Sequence, residues 1–292
     1  MQFKTAIATL ALITTSAACQ APTLYVEERA TLQAAQESLD SGQFEAVQTP
    51  LEQLVAGTSK TQGNYSLQKF FAAFLLVRAN LSASLDKPYL TEPATSRGGT
   101  SKPSWIAQTV AATYEMDFAE DWAAKAAASP ATIDGEALLP ESLANYGVPT
   151  ARRFITLGRL FAAARLGFQQ DVAALLQEYP ELEDLAACEQ SMAETELDED
   201  MKPWILFGVF DYLKTRDEPL AYLFGIRARQ LTKQSKSALA AGLGDTIVHW
   251  IQFDSSFVFE SNRGIPFDPG LSGDPDAGQA NIEYLARKKE AD

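Results

Sequence analysis

An all-α fold is predicted for this chain of 292 residues, and three observations predict it. Apolar residues recur at three- and four-residue intervals along most of its length, which gathers them on one side of a 3.6-residue helix. Glycine, proline and short polar clusters interrupt those stretches at helix-length intervals, as connections between helices do. Strand patterning is confined to Phe257-Val258-Phe259. Together these give an irregular stack of antiparallel helical hairpins.

The chain opens on an export signal. Lys4 supplies a minimal positive start, Ala6 to Ile13 an apolar run, and Ser16-Ala17-Ala18 small residues before Cys19. The segment resembles a bacterial lipoprotein lipobox, departing from it where Ser16 replaces the usual aliphatic residue. The resemblance implies removal of residues 1–18 and lipidation of Cys19; plain secretory cleavage after Ala18 fits the same residues, leaving a secreted or periplasmic protein. Residues 19–29 read as a tether in which Pro22 opposes early helix formation. Ten or so residues span at most about 35 Å, so a lipid-anchored domain would stay near its bilayer. Gln20 after the cysteine is not an Asp-type inner-membrane retention signal, which by resemblance to enteric lipoprotein sorting favours an outer-membrane lipoprotein facing the periplasm.

Residues 30–254 form the helical-hairpin domain. Ala30 to Leu54 is a helix pair broken at Asp40-Ser41-Gly42, and a longer helix follows Gly63-Asn64 with Leu67, Phe70, Phe71, Phe74, Leu75, Leu81 and Leu85 on one face. Three prolines and Gly98-Gly99 make 87–103 a loop insertion. Ser104 caps the next helix, in which Ile106, Val110, Tyr114, Phe118 and Trp122 form an oblique ridge. A short helix through Leu143 to Tyr146 is stopped by Gly147-Val148-Pro149. Helical rhythm resumes at Thr150, turns at Leu166-Gly167, and returns through Val172, Leu175, Leu176 and Tyr179 to Pro180. After an acidic connection at Glu194 to Asp200, Trp204 to Leu213 is apolar on nearly every side and reads as a buried helix. Thr215-Arg216-Asp217 turns the chain into a helix carrying Leu220, Leu223, Phe224 and Leu231, and a further helix covers about Ser237 to Phe253. Residues 255–292 are a turn-rich tail ending in a short helix near Ala280 to Lys289.

Three of these pairs share a spacing. Gly42 precedes Val47 and Leu51 as Gly167 precedes Val172 and Leu176, and Thr215 stands likewise to Leu220 and Phe224. The run Gly42-Gln43-Phe44-Glu45-Ala46-Val47, with Leu51, Leu54 and Ala35, resembles the tetratricopeptide-repeat (TPR) superfamily. Val47 is larger than the small residue that family prefers, and the turns lie further apart than the roughly 34 residues of a regular array. The resemblance implies a curved α-solenoid that binds a partner on its concave face, and it brings no catalytic residues with it.

Composition narrows the function classes. A formal net charge of −14 disfavours nucleic acid and anionic headgroups as partners. Besides Cys19 the only cysteine is Cys188, which reads as a small buried hydrophobe. The single histidine, His249, sits in Ile247-Val248-His249-Trp250-Ile251 and reads as a hydrogen-bonded core or boundary residue, with no Gly-x-Ser-x-Gly elbow to complete a triad. Asp268, Asp274 and Asp276, and Asp198, Glu199 and Asp200, lack the alternating oxygen ligands of an EF-hand loop and read as solvated turns. Arg97-Gly98-Gly99-Thr100-Ser101-Lys102 lacks P-loop spacing, and Glu115, Asp117, Glu120 and Asp121 read as helix-surface charge. No cofactor, metal site or catalytic residue is expected.

The expected function is therefore that of a lipid-anchored envelope protein whose helical domain binds or scaffolds a protein partner. The alternative is a small-molecule-binding accessory subunit of a periplasmic transporter, with Tyr65, Phe74, Trp105, Tyr114 and Trp122 lining a groove beside the 87–103 loop. A carboxylate-based hydrolase is the third reading.

Overall fold

The structure, a computed structural model, describes residues 21–57, 66–86, 118–133, 135–234 and 238–250. Among them are eleven α-helices, one 3-10 turn and a two-strand hairpin of two residues each, so the all-α expectation holds. The export signal with Cys19, the whole of the 87–103 loop with residues 104–117, and the tail beyond 250, including Phe257-Val258-Phe259, lie outside the described residues. The described chain clusters into two compact units, one reaching Asn80 and taking in 118 to Arg152, the other beginning at Leu81 and resuming from Arg153.

The first unit contains α1 (Ala21–Asp40), α2 (Phe44–Gly57), most of α3 (Ser66–Asp86), α4 (Phe118–Ala127), the antiparallel strands β1 (Thr132–Ile133) and β2 (Glu136–Ala137), and α5 (Glu141–Tyr146). Helix α1 begins at Ala21, so the stretch expected as a tether is helical, and Tyr25 within it is buried. Pro22 is tolerated because it stands second in the helix, where backbone N–H groups have no intrahelical partner and its fixed φ suits the turn. Tyr25, Leu32, Ala35 and Leu39 form the buried stripe of α1, facing Val47, Leu51 and Leu54 of α2. Helix α3 differs from the one-faced helix expected. Ala72, Ala73, Val77 and Ala79 are buried as well as Phe70, Phe71, Phe74 and Leu75, so small residues let neighbours close over its second side.

One polar residue sits in that core. Gln68 of α3 is fully buried, and its Nε2 donates to the carbonyl oxygens of Tyr25 (2.9 Å) and Leu138 (2.8 Å). The segment after β2 is fastened again when Arg29 donates to the Ala137 carbonyl (3.0 Å) and Ser142 to Gln36 (2.6 Å). Three parts of the chain distant in sequence thus meet at one amide.

The second unit contains most of α6 (Val148–Leu166), then α7 (Gln169–Glu178), a 3-10 turn (Pro180–Glu183), α8 (Leu185–Glu194), α9 (Lys202–Leu213), α10 (Glu218–Gln234) and α11 (Ala238–His249). Helix α9 is its centre, packing against α7, α10 and α11. Its Ile205, Leu206, Val209, Phe210 and Leu213 are buried, as the all-round apolar sequence predicts. Helix α8 was not foreseen as a separate element. Asp184 caps it by accepting from the Ala187 amide (2.8 Å), Arg153 of α6 pairs with its Glu194, and Arg227 of α10 pairs with its Glu189.

Two of the three turns that share a spacing share a structure. At the end of α1, Gly42 (φ +77°) donates to the Leu39 carbonyl and Gln43 to the Ser38 carbonyl. At the end of α6, Gly167 (φ +72°) donates to Ala164 and Phe168 to Ala163. These paired bonds are the Schellman motif, which requires a left-handed residue at the glycine position. The Thr215 turn is built differently: the amides of Arg216 and Asp217 both reach the Leu213 carbonyl, and Asp217 caps α10 through the Leu220 amide. In each pair the predicted apolar positions point inward, with Val47, Leu51, Val172, Leu176 and Phe224 buried and Leu220 half-buried.

Replacing the buried amide tests its role. Gln68→Leu removes both donated bonds and is expected to lower unfolding free energy by about 2 to 3 kcal/mol, measured by urea denaturation with circular dichroism. An unchanged midpoint would show that the Tyr25 and Leu138 carbonyls do not depend on it.

Candidate functional site

Small residues, Ala162 to Ala164, lie near the end of α6, and Ala164 meets Gly208 of α9. An added Cβ at Gly208 would stand 2.8 Å from the Ala164 Cβ, a separation real pairs essentially never show, so glycine is required where the two helices meet. Beside that crossing the surface is hollow. Ala163, Ala164, Val172 and Phe207 give an apolar floor to a recess of about 50 Å³, and Gln169, Asp211 and Tyr212 form its polar edge.

Phe168 stands at the mouth, 41 % exposed, one of two large apolar side chains exposed to that degree among the described residues. The Schellman turn puts it there: once Gly167 has reversed the chain, the next residue starts α7 with its side chain outside the helical pair. Behind it, Trp204 and Phe207 of α9 are half-buried and meet edge to face, with centroids 6.3 Å apart.

The polar edge is braced. Gln169 Nε2 donates to the Asp211 carboxylate (2.7 Å), and Lys214, one turn along α9, pairs with the same group. Arg216 lies over the Tyr212 ring with its guanidinium carbon 4.1 Å from the centroid. The recess therefore combines an apolar floor with a hydrogen-bonded, partly charged edge.

Of the groove residues named from sequence, the structure describes the surroundings of Phe74 alone. Tyr65, Trp105 and Tyr114 lie outside the described residues, and Trp122 lies in α4. Phe74 is 2 % exposed, stacked on Tyr146 at 5.1 Å and edge to face with Phe71 at 6.0 Å, so its surface is spent on core packing. His249 is exposed at the end of α11, whereas the sequence reading put it in the core or at its boundary; the neighbouring Trp250 takes the inward position against Phe210. Asp198 accepts from the Asp200 amide and Glu199 pairs with Lys202, as in a solvated turn. Among the described residues no three His, Cys, Asp or Glu side chains are grouped to hold a metal ion, and no helix is long and apolar enough to cross a membrane.

The notch itself was missed. The Leu166-Gly167 turn was legible, but an aromatic immediately after a turn glycine reads as the start of a buried helix face. Its exposure, beside a turn already identified, was the signal available. Compared with protein-family models, curated proteins and solved structures, the chain matches none.

Cys188 is fully buried in α8, and burial, with Glu189 and Asp184 beside it, pushes its thiol up to about 12. A thiolate is the reactive form, so the folded protein holds this sulfur inert. Alkylation of the Cys188 peptide by iodoacetamide at pH 8 is expected to be at least about a hundredfold slower in the native protein than in denaturant, as quantified by mass spectrometry. Equal rates would mean that α8 opens readily.

Proposed function

We propose that this chain is an exported, lipid-anchored envelope protein whose TPR-like helical hairpins bind a protein partner, with the Phe168 notch as a principal contact. The observation that carries the binding reading is an exposed aromatic poised beside an apolar recess sized for a side chain, with its rim held by Gln169, Asp211 and Lys214. Phe168 is exposed, and Phe207 in the recess and Trp204 against it are half-buried, an aromatic surface of the kind interfaces favour. The Schellman turns at Gly42 and Gly167 support the hairpin resemblance, since they fix the antiparallel return of each pair. The proposed anchor rests on the Lys4 to Cys19 segment, and the outer membrane on Gln20.

A photo-crosslinking amino acid at position 170, exposed beside the notch and outside its lining, tests the reading in intact cells. A discrete polypeptide adduct is expected, and Phe168→Asp should reduce it at least about tenfold, while the same probe at Glu52 on the exposed face of α2 should give none. An adduct indifferent to Phe168→Asp, or none at 170, would remove the notch from the proposal. In the same cells Cys19→Ser should abolish acyl labelling and release the chain from the membrane fraction; retention of the label would overturn the anchor.

A further inference from the structure

The buried stripe of α1 contains one charged residue. Tyr25, Glu28, Leu32, Ala35 and Leu39 follow the three- and four-residue rhythm of a single helix face, and all but Glu28 are buried apolar side chains. Glu28 is itself half-buried, and its Oε2 is completely buried with no hydrogen-bond partner. A second buried acceptor lacking a donor belongs to the same part of the fold: Gln68 commits its Nε2 to the Tyr25 and Leu138 carbonyls, and its Oε1 has no partner. Tyr25 is one turn before Glu28, and helical side chains lean toward the N-terminus, which directs the Glu28 carboxyl back toward the turn that Gln68 touches.

An ionised carboxylate only accepts, so it worsens a neighbourhood already short of donors; a protonated one brings an O–H. We infer that Glu28 keeps its proton through mildly acidic pH, ionises across the neutral range and acts as a pH-sensitive latch, holding α1 in the first unit when protonated and loosening it when ionised.

The charges around it are few. Lys69 of α3 faces it and favours the ionised form, Arg29 on α1 is turned to Glu136 of β2 (3.4 Å) and the Ala137 carbonyl, and Glu27 is exposed, while α2 presents Val47, Leu51 and Leu54. Burial outweighs Lys69 and pushes the Glu28 carboxyl up from 4.5 to about 7. The folded state therefore binds this proton more tightly than the unfolded chain. The stability it contributes is fully present below about pH 4.5 and is lost as pH rises through about 7. The latch lies in the first unit and is independent of the Phe168 notch.

The direct test is the carboxyl carbon resonance of Glu28, read by NMR on the folded protein, residues 20–292, between pH 4 and 9. A midpoint near 7 is expected; one in the ordinary carboxylate range would overturn the inference and leave the orphan oxygens to ordered water. Glu28→Gln, which is neutral at every pH and keeps a donor, provides the second arm. Wild-type melting temperature should fall relative to this variant by several degrees from pH 5.5 to 8.5, with about tenfold faster amide exchange across α1 at the upper pH. Parallel profiles for the two proteins would overturn the latch even if Glu28 titrates late.

Discussion

The first unit is organised around one fully buried amide. A primary amide stripped of solvent needs partners for its two N–H groups, and Gln68 finds them in two carbonyls that lie 43 and 70 residues away in sequence. Hydrophobic burial is non-directional and does not by itself fix the register of α1 on its neighbours. Two directional bonds from one rigid group remove that freedom. They tie Tyr25 of α1 and Leu138, just after β2, to the same side chain of α3, and Arg29 to Ala137 and Ser142 to Gln36 fasten the same part of the chain to α1 again. The sequestered carboxyl of Glu28 follows from that placement.

In the second unit the corresponding role belongs to the absence of side chains. Gly208 leaves room for the Ala164 methyl of α6 against α9, which also packs against α7, α10 and α11. Small residues at a crossing cannot also fill the space at its margin. The recess next to Phe168 is thus a by-product of the packing that makes α9 central, which links the core of this unit to its candidate interface through the same residues.

Much of this architecture was legible. The glycine turns at 42 and 167 were identified from spacing, and the apolar positions after them are buried where the pattern put them. Trp204 to Leu213 was recognisable because no face of it is polar enough for water. Helix α8 was not, since only Cys188 and Met192 of its ten residues are buried, too few to set a rhythm. Helix α1 started early because Pro22, read as a breaker, occupies a position where a breaker does no harm. The β1–β2 hairpin is too short to show alternation. Gln68 is the instructive failure: on its helix it is one polar residue between Leu67 and Lys69, and only the fold reveals that two distant carbonyls converge on it. The same is true of Phe168, whose aromatic character argued for burial.

Glycine has two unrelated duties in this chain. At Gly42 and Gly167 a side chain would meet open space, and the obstacle is the handedness of the backbone, a penalty of about 1 kcal/mol or somewhat more for most residues. At Gly208 the backbone is an ordinary right-handed helix and the obstacle is the Ala164 methyl. The substitutions each site admits would therefore be ordered differently. The turns would rank replacements by left-handed propensity, with asparagine ahead of the β-branched residues whatever its bulk, whereas the crossing would rank them by volume alone and treat even alanine as an intruder.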